Sequence, residues 1–190
     1  MSLLPILRDS ASSPLHIDEI LFGKDEGRLG LTICPGKKDL PRHWNRDLDE
    51  DLSIIRNWGA STVVTLIEAH EFELLKVSRL GERVQELGMR WIHLPIRDVD
   101  VPDWRFEKEW VTAGPEIHRR IRAGEKILIH CRGGLGRTGL VVGLILVERG
   151  GVPRDAIQQV RAARHGAIET AEQEKYVLKA KVRNQGERHE

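Results

Sequence analysis

The ten residues His130-Cys131-Arg132-Gly133-Gly134-Leu135-Gly136-Arg137-Thr138-Gly139 place a thiol at the start of a glycine-rich turn and a guanidinium six positions later. An apolar strand pattern precedes them and an apolar helix pattern follows. Glycines let successive backbone N–H groups turn inward, and a helix N-terminus adds unpaired N–H groups and the positive end of a dipole. Together these make an anion cradle. Cys131 lies at its floor. A field that holds phosphate also favours a thiolate, so the thiol is expected below its usual ~8.5, in the range ~3.5–7.5. Arg137 can grip two phosphate oxygens with its planar fork. Thr138 is expected to donate its hydroxyl to the sulfur, and His130 to hold the turn by bonding backbone carbonyls rather than to act as a base. The amides of Arg132, Gly133, Gly134, Leu135 and Gly136 complete the expected phosphate-binding set. A Walker loop is excluded, since Gly136 is followed by Arg137 where that loop needs lysine.

A cysteinyl-phosphate route also needs an acid for the departing oxygen and a base for the attacking water. The run Leu94-Pro95-Ile96-Arg97-Asp98-Val99-Asp100-Val101-Pro102-Asp103 offers three carboxyls on one loop. That loop leaves a strand as the cysteine loop does, and loops at the carboxyl ends of parallel strands share one face. Asp98, nearest the strand end, is the expected general acid; Asp100 and Asp103 are the alternatives.

Elements able to position these groups follow from periodicity. Residues 1–20 carry Ser10, Ser12, Ser13 and Pro14 with little pattern, which predicts a flexible N-terminal arm. Leu29–Cys34 reads as a strand ended by Pro35-Gly36. The 3–4 spacing of Leu48, Leu52, Ile55 and Trp58 predicts a helix over Asp47–Trp58, stopped by Gly59. Ser61–Ile67 and Arg90–Ile96 read as strands, and Glu71–Val77 and Leu80–Leu87 as helical pieces. Phe106–Arg122 has a helical pattern expected to break near Gly114-Pro115. Lys126–His130 is a strand, Arg137–Glu148 a buried central helix, and Ala156–Ala163 and Ala171–Val182 are closing helices. This alternation predicts an α/β fold with a mainly parallel central sheet flanked by helices. It gives one catalytic domain over 21–183 and a charged tail over 184–190.

Composition sets the bounds. The chain has 190 residues, 40% hydrophobic and 31% charged, enough for a core without disulfides or metals. Thirty basic and 29 acidic residues leave a formal net charge of +1, which argues against a polybasic nucleic-acid or membrane binder. The longest apolar run, Leu140–Val147, is far short of a spanning helix, and Met1–Arg8 is too short for a secretory signal, so a cytoplasmic location is expected. Cys34 and Cys131 are the two cysteines. No Cys/His cluster has zinc spacing, so neither metal nor cofactor is expected. Cys34 is read as a core residue, with a protective disulfide to Cys131 as the alternative.

The cysteine loop, matched at His130, Cys131, Arg137 and Thr138, resembles that of the protein tyrosine and dual-specificity phosphatases. The chain further resembles the kinase-associated phosphatases acting on cyclin-dependent kinases, and their bacterial relatives, through Cys34-Pro35-Gly36, Asp51-Leu52, Trp58-Gly59-Ala60, Leu94-Pro95-Ile96-Arg97-Asp98 and Gly133-Gly134-Leu135-Gly136-Arg137. The resemblance covers roughly residues 28–178. It implies a tyrosine-phosphatase-like fold, a phosphocysteine intermediate on Cys131 and acid catalysis by Asp98. It also maps Gln173, in Ala167–Gln173, to a glutamine near the attacking water. The loop lacks the lysines of lipid-directed members, and no counterpart of the tyrosine-bearing loop of strict phosphotyrosine enzymes is seen; Tyr176 is the one tyrosine. The expected partner is therefore a phosphoprotein or phosphopeptide, dephosphorylated on tyrosine, with serine and threonine admitted by a shallower pocket. Rival readings are a phosphatase of small phosphates, such as an inositol phosphate or nucleotide, and a non-catalytic phosphate-reading module.

Overall fold

The computed structural model describes residues 7–183. Its strands are β1 (Asp18–Leu21), β2 (Arg28–Thr32), β3 (Lys38–Asp39), β4 (Trp44–Asn45), β5 (Ala60–Thr65), β6 (Arg90–His93) and β7 (Lys126–His130). Its helices are α1 (Leu48–Trp58), α2 (Ala69–Leu74), α3 (Leu80–Glu86), α4 (Trp104–Arg122), α5 (Gly136–Glu148), α6 (Pro153–Ala163) and α7 (Ala171–Lys179). The main sheet runs β1-β2-β7-β5-β6, with β2, β7, β5 and β6 parallel and β1 antiparallel at one edge. The expected α/β architecture, a mainly parallel sheet flanked by helices, is thus what the chain adopts.

β7 is central and apolar on both faces, as a covered parallel strand must be. Ile127 and Ile129 pack into the core under α4–α7, with Phe106, Trp110, Ile117, Leu140, Ile157 and Val177. Leu128 points the other way, into a smaller core with Leu52, Ile55, Leu80 and Val84 from α1 and α3. α5 is buried along almost its whole length between these helices and the sheet. Asp47 caps α1 by accepting from the Glu50 N–H, and Gly59 ends it at φ 94°.

Three expectations change. α4 runs unbroken from Trp104 through Pro115 to Arg122. Proline removes the bond to the carbonyl of Val111, whose side chain is exposed, so solvent can serve that carbonyl while Phe106, Trp110, Ile117 and Ile121 anchor the buried face. Second, residues 8–20 are not a loose arm. The Ser10 hydroxyl donates to Asp51 at 2.8 Å, Leu15 is in the core, and Asp18–Leu21 pairs with β2. The Ser10–Asp51 bond and the packing of Leu15 depend on partners distant in sequence, which periodicity does not register. Third, a β3–β4 hairpin adds to the expected elements; it is too short for a sequence pattern and is held by partners distant in sequence, Arg132 on Asp39 and Leu75 on Lys38. Residues 1–6 of the expected arm and the tail 184–190 lie outside the described residues.

Candidate active site

β7 ends at His130, the chain turns through 131–135, and α5 starts at Gly136. His130 fixes the turn. Burial drops its pKa from 6.5 to about 4, so the ring is neutral. Its Nδ1 faces the Cys131 carbonyl at 3.3 Å and must therefore carry the proton. Nε2 then accepts from the Thr65 hydroxyl at 2.8 Å, and that hydroxyl accepts from Trp91 Nε1–H at 2.9 Å. His130 thus ties the Cys131 carbonyl to the Thr65 hydroxyl. Gly134 has φ 69°, and a Cβ there would meet the Thr32 carbonyl oxygen at 2.3 Å, so no other residue fits. Its N–H donates to Cys131 Sγ at 3.2 Å. The Thr138 hydroxyl does not take that role: buried at the first turn of α5, it has no hydrogen-bond partner among the described residues. A backbone amide, already fixed by the turn, reaches the sulfur instead.

Arg137 is almost wholly buried. Its Nη1 donates to Glu71 at 2.6 Å and to the Ile96 carbonyl at 3.1 Å, and Nη2 donates to Glu71 at 3.0 Å. Nη2 also lies 2.8 Å from Asp98 Oδ1. The buried Nε has no partner among the described residues. The Nε–Nη2 edge, bordered by Asp98, is therefore the side of the fork that an anion can take by displacing that carboxylate. Burial disfavours the charge on Arg137, but the Glu71 hydrogen bonds and the nearby negative groups outweigh it and push its pKa up. For Glu71 burial raises and Arg137 lowers, and the carboxyl ends below its ordinary value. No catalytic motif in the sequence marks Glu71. Its one signal is position: Glu68 and Glu71 form the capping box of α2, just past the carboxyl end of β5.

The three loop carboxyls separate clearly. Asp98 reaches Arg137. Asp103 is the N-cap of α4, accepting from Arg105 and Phe106 N–H and paired with the Arg105 side chain. Asp100 accepts from the Val101 N–H at 2.8 Å and lies 3.8 Å from Arg97. Gln173 is fully buried against Gly136, with both ends of its amide engaged: Oε1 accepts from Glu169 and Thr170 N–H, and Nε2 donates to the Asp100 carbonyl at 3.1 Å. It thus joins α7 to the acid loop.

The opposite wall is the turn Cys34–Lys37. Asp51 holds it through the Gly36 N–H at 2.8 Å and is itself gripped by Arg46 through two 2.8 Å bonds. The Cys34 N–H and Lys37 Nζ both donate to the Arg132 carbonyl, at 3.3 and 3.2 Å. Burial pulls Lys37 down to about 8. The Arg132 side chain leans away to Asp39 of β3 at 2.8 Å, so only its backbone belongs to the cradle. Burial pushes the Cys34 thiol up, which keeps it a neutral core group. Among the described residues no cluster of three or more metal-ligating side chains occurs, and no helix is long and apolar enough to cross a membrane.

Residues 40–151 match the family model described as "Polymorphic toxin system, DSP-PTPase phosphatase". The chain is a DSP-PTPase phosphatase. This phosphatase is 32% identical over 157 residues to mouse cyclin-dependent kinase inhibitor 3, covering 78% of this chain and 69% of that protein. It is 28% identical over 142 residues to human protein tyrosine phosphatase type IVA 3, covering 73% and 77%. Among solved structures it resembles a kinase associated phosphatase whose catalytic cysteine was replaced by serine. The TM-score is 0.77 at 28% identity, over 87% of this chain and 93% of that one. It also resembles Tk-PTP in its active form, with a TM-score of 0.60 at 30% identity, over 80% and 90%. Family and relatives together make it a protein phosphatase of the tyrosine/dual-specificity type.

Proposed function

We propose that this phosphatase hydrolyses phosphate monoesters on tyrosine, and on serine and threonine, of a protein partner, with residues 8–183 as one catalytic domain. The phosphate sits on the inward amides of 132–136 and on the Nε–Nη2 edge of Arg137. Cys131 Sγ attacks phosphorus in line, forming the S–P bond as the ester P–O bond breaks. Asp98 gives its proton to the departing oxygen. It then takes a proton from water, which attacks phosphorus, breaks the S–P bond and releases phosphate and the thiolate. The fixed amides and guanidinium stabilise the charge that builds on the equatorial oxygens, with no metal step. Gln173 supports Asp98 by holding the acid loop, since both ends of its amide are engaged.

The observation that carries this reading is the 2.8 Å approach of Asp98 to Arg137 Nη2, which brings the acid to the anion-binding fork of the loop that holds Cys131. Substrate must displace that carboxylate from Nη2; Asp98 then enters the step as the carboxylic acid, with a proton taken up from solvent, and gives it to the leaving oxygen. Relatives named as a protein tyrosine phosphatase and as a cyclin-dependent kinase inhibitor support a protein substrate.

Turnover of p-nitrophenyl phosphate and of phosphotyrosine and phosphothreonine peptides tests this. Cys131→Ser should abolish all turnover and retain peptide binding. Asp98→Asn should cut kcat about 10²–10⁴-fold on peptides, with a smaller effect on the good leaving group p-nitrophenol. Equal losses on both would reassign the acid, and turnover of inositol phosphates or nucleotides alone would replace the protein substrate.

A further inference from the structure

The amides that bind phosphate are only as well aimed as the carbonyls behind them, because a trans peptide points its C=O and the next N–H in opposite directions. Every carbonyl of residues 131–135 is held by a donor. Cys131 C=O faces His130 Nδ1, and Arg132 C=O accepts from the Cys34 N–H and Lys37 Nζ. Leu135 C=O accepts from the Gly139 and Ile168 N–H groups. The two between belong to glycines, which can flip at little cost. Both are taken by one side chain. Arg164, just past α6, donates Nε to the Gly134 carbonyl at 2.6 Å and Nη2 to the Gly133 carbonyl at 3.3 Å. Its Nη1 is ion-paired with Asp18 of β1, so the fork is aimed from behind.

We infer that Arg164, oriented by Asp18, is a positioning residue of the reaction. By holding the Gly133 and Gly134 carbonyls outward, it fixes the Gly134 and Leu135 N–H groups inward, one of them on Cys131 Sγ. It touches neither substrate nor sulfur. The arrangement rests on reading the Cys131 loop as the catalytic phosphate site. Lysine cannot replace it fully, since a point charge does not span two carbonyls with fixed geometry.

Arg164→Gln, Arg164→Lys and Asp18→Asn test this in the full chain. Three quantities are read beside the melting temperature: tungstate affinity by calorimetry, kcat and KM on p-nitrophenyl phosphate, and the rate of Cys131 alkylation by iodoacetate. In folded Arg164→Gln, tungstate affinity should fall at least about tenfold, and kcat/KM about 100-fold, the scale of a misplaced catalytic group. Alkylation should slow. Arg164→Lys and Asp18→Asn should fall between it and the parent chain, a graded recovery that a merely structural arginine does not give. Should Arg164→Gln fail to fold, the other two decide on the same readouts. Tungstate affinity and alkylation within about twofold of the parent in the folded variants would overturn the inference. An unaltered chain with no Cys131-dependent turnover would instead overturn the phosphatase reading, and tungstate affinity would still decide the role of Arg164.

Discussion

Arg137 and Glu71 are each at most 2% exposed, and neither charge could stay there alone. The carboxylate takes two hydrogen bonds from the fork and fixes its plane, leaving Nε without a partner among the described residues. Removing one partner of such a pair costs about 3–5 kcal/mol, because the remaining charge is buried and uncompensated. Glu71→Ala should therefore lower stability by about that amount in urea unfolding. Any folded fraction should bind tungstate more weakly than the parent chain. A loss under about 1 kcal/mol would mean that water or another group reaches Arg137. Cys34 and Cys131 differ for the same kind of reason: Cys34 sits among Leu52, Ile55 and Val63, whereas Cys131 meets an amide at the floor of the cradle.

The cysteine loop is an element whose shape is set by contact with the next strand. Gly134 lies on the end of β2, where a Cβ would strike the carbonyl carbon and oxygen of Thr32 and the nitrogen of Ile33. These are backbone atoms and cannot rotate away. The positive φ adds strain of order 1–3 kcal/mol for any side chain. Gly134→Ala should lower stability by more than about 2 kcal/mol and abolish tungstate binding, whereas Gly133→Ala, which meets nothing within 4 Å, should fold normally. Melting curves and calorimetry on the pair check this, and equal behaviour would refute it. The acid loop is held differently, by the Asp103 cap at one end, the sheet bonds of Leu94 and Ile96 at the other, and Gln173 between.

At the scale of the molecule, His130 joins site to sheet. It lies at the end of the central strand, buried on all sides, within a chain of bonds from Trp91 through Thr65 to the Cys131 carbonyl. Its pKa is about 4 folded against 6.5 for the free side chain. Unfolded chain therefore binds a proton before folded chain does. The stabilising effect of neutral His130 is complete above 6.5 and is lost as pH falls from there through about 4. A shift of this size corresponds to about 3 kcal/mol. His130→Gln should flatten the fall in unfolding free energy between pH 6.5 and 4 relative to the parent chain. An unchanged slope would mean that the ring is protonated in the fold.

Local residues alone mark the cysteine loop, its strand and helix, Asp98 as the acid candidate, and the layered α/β class. Each depends on contiguous residues or on a period a few residues long: Lys126–His130 stands as read, and Arg137–Glu148 gains one residue. How those parts are held emerges from packing between distant segments. Glu71, Arg164, Asp18, Asp51 and Lys37 act on the loop through contacts spanning tens of residues, and polar side chains carry no periodic mark of such partners. Packing likewise decided that Thr138 leaves the sulfur to an amide, that Gln173 braces a loop, and that residues 8–20 are built into the sheet and core. Local pattern records which face of an element is buried; it does not record which distant polar group meets it there.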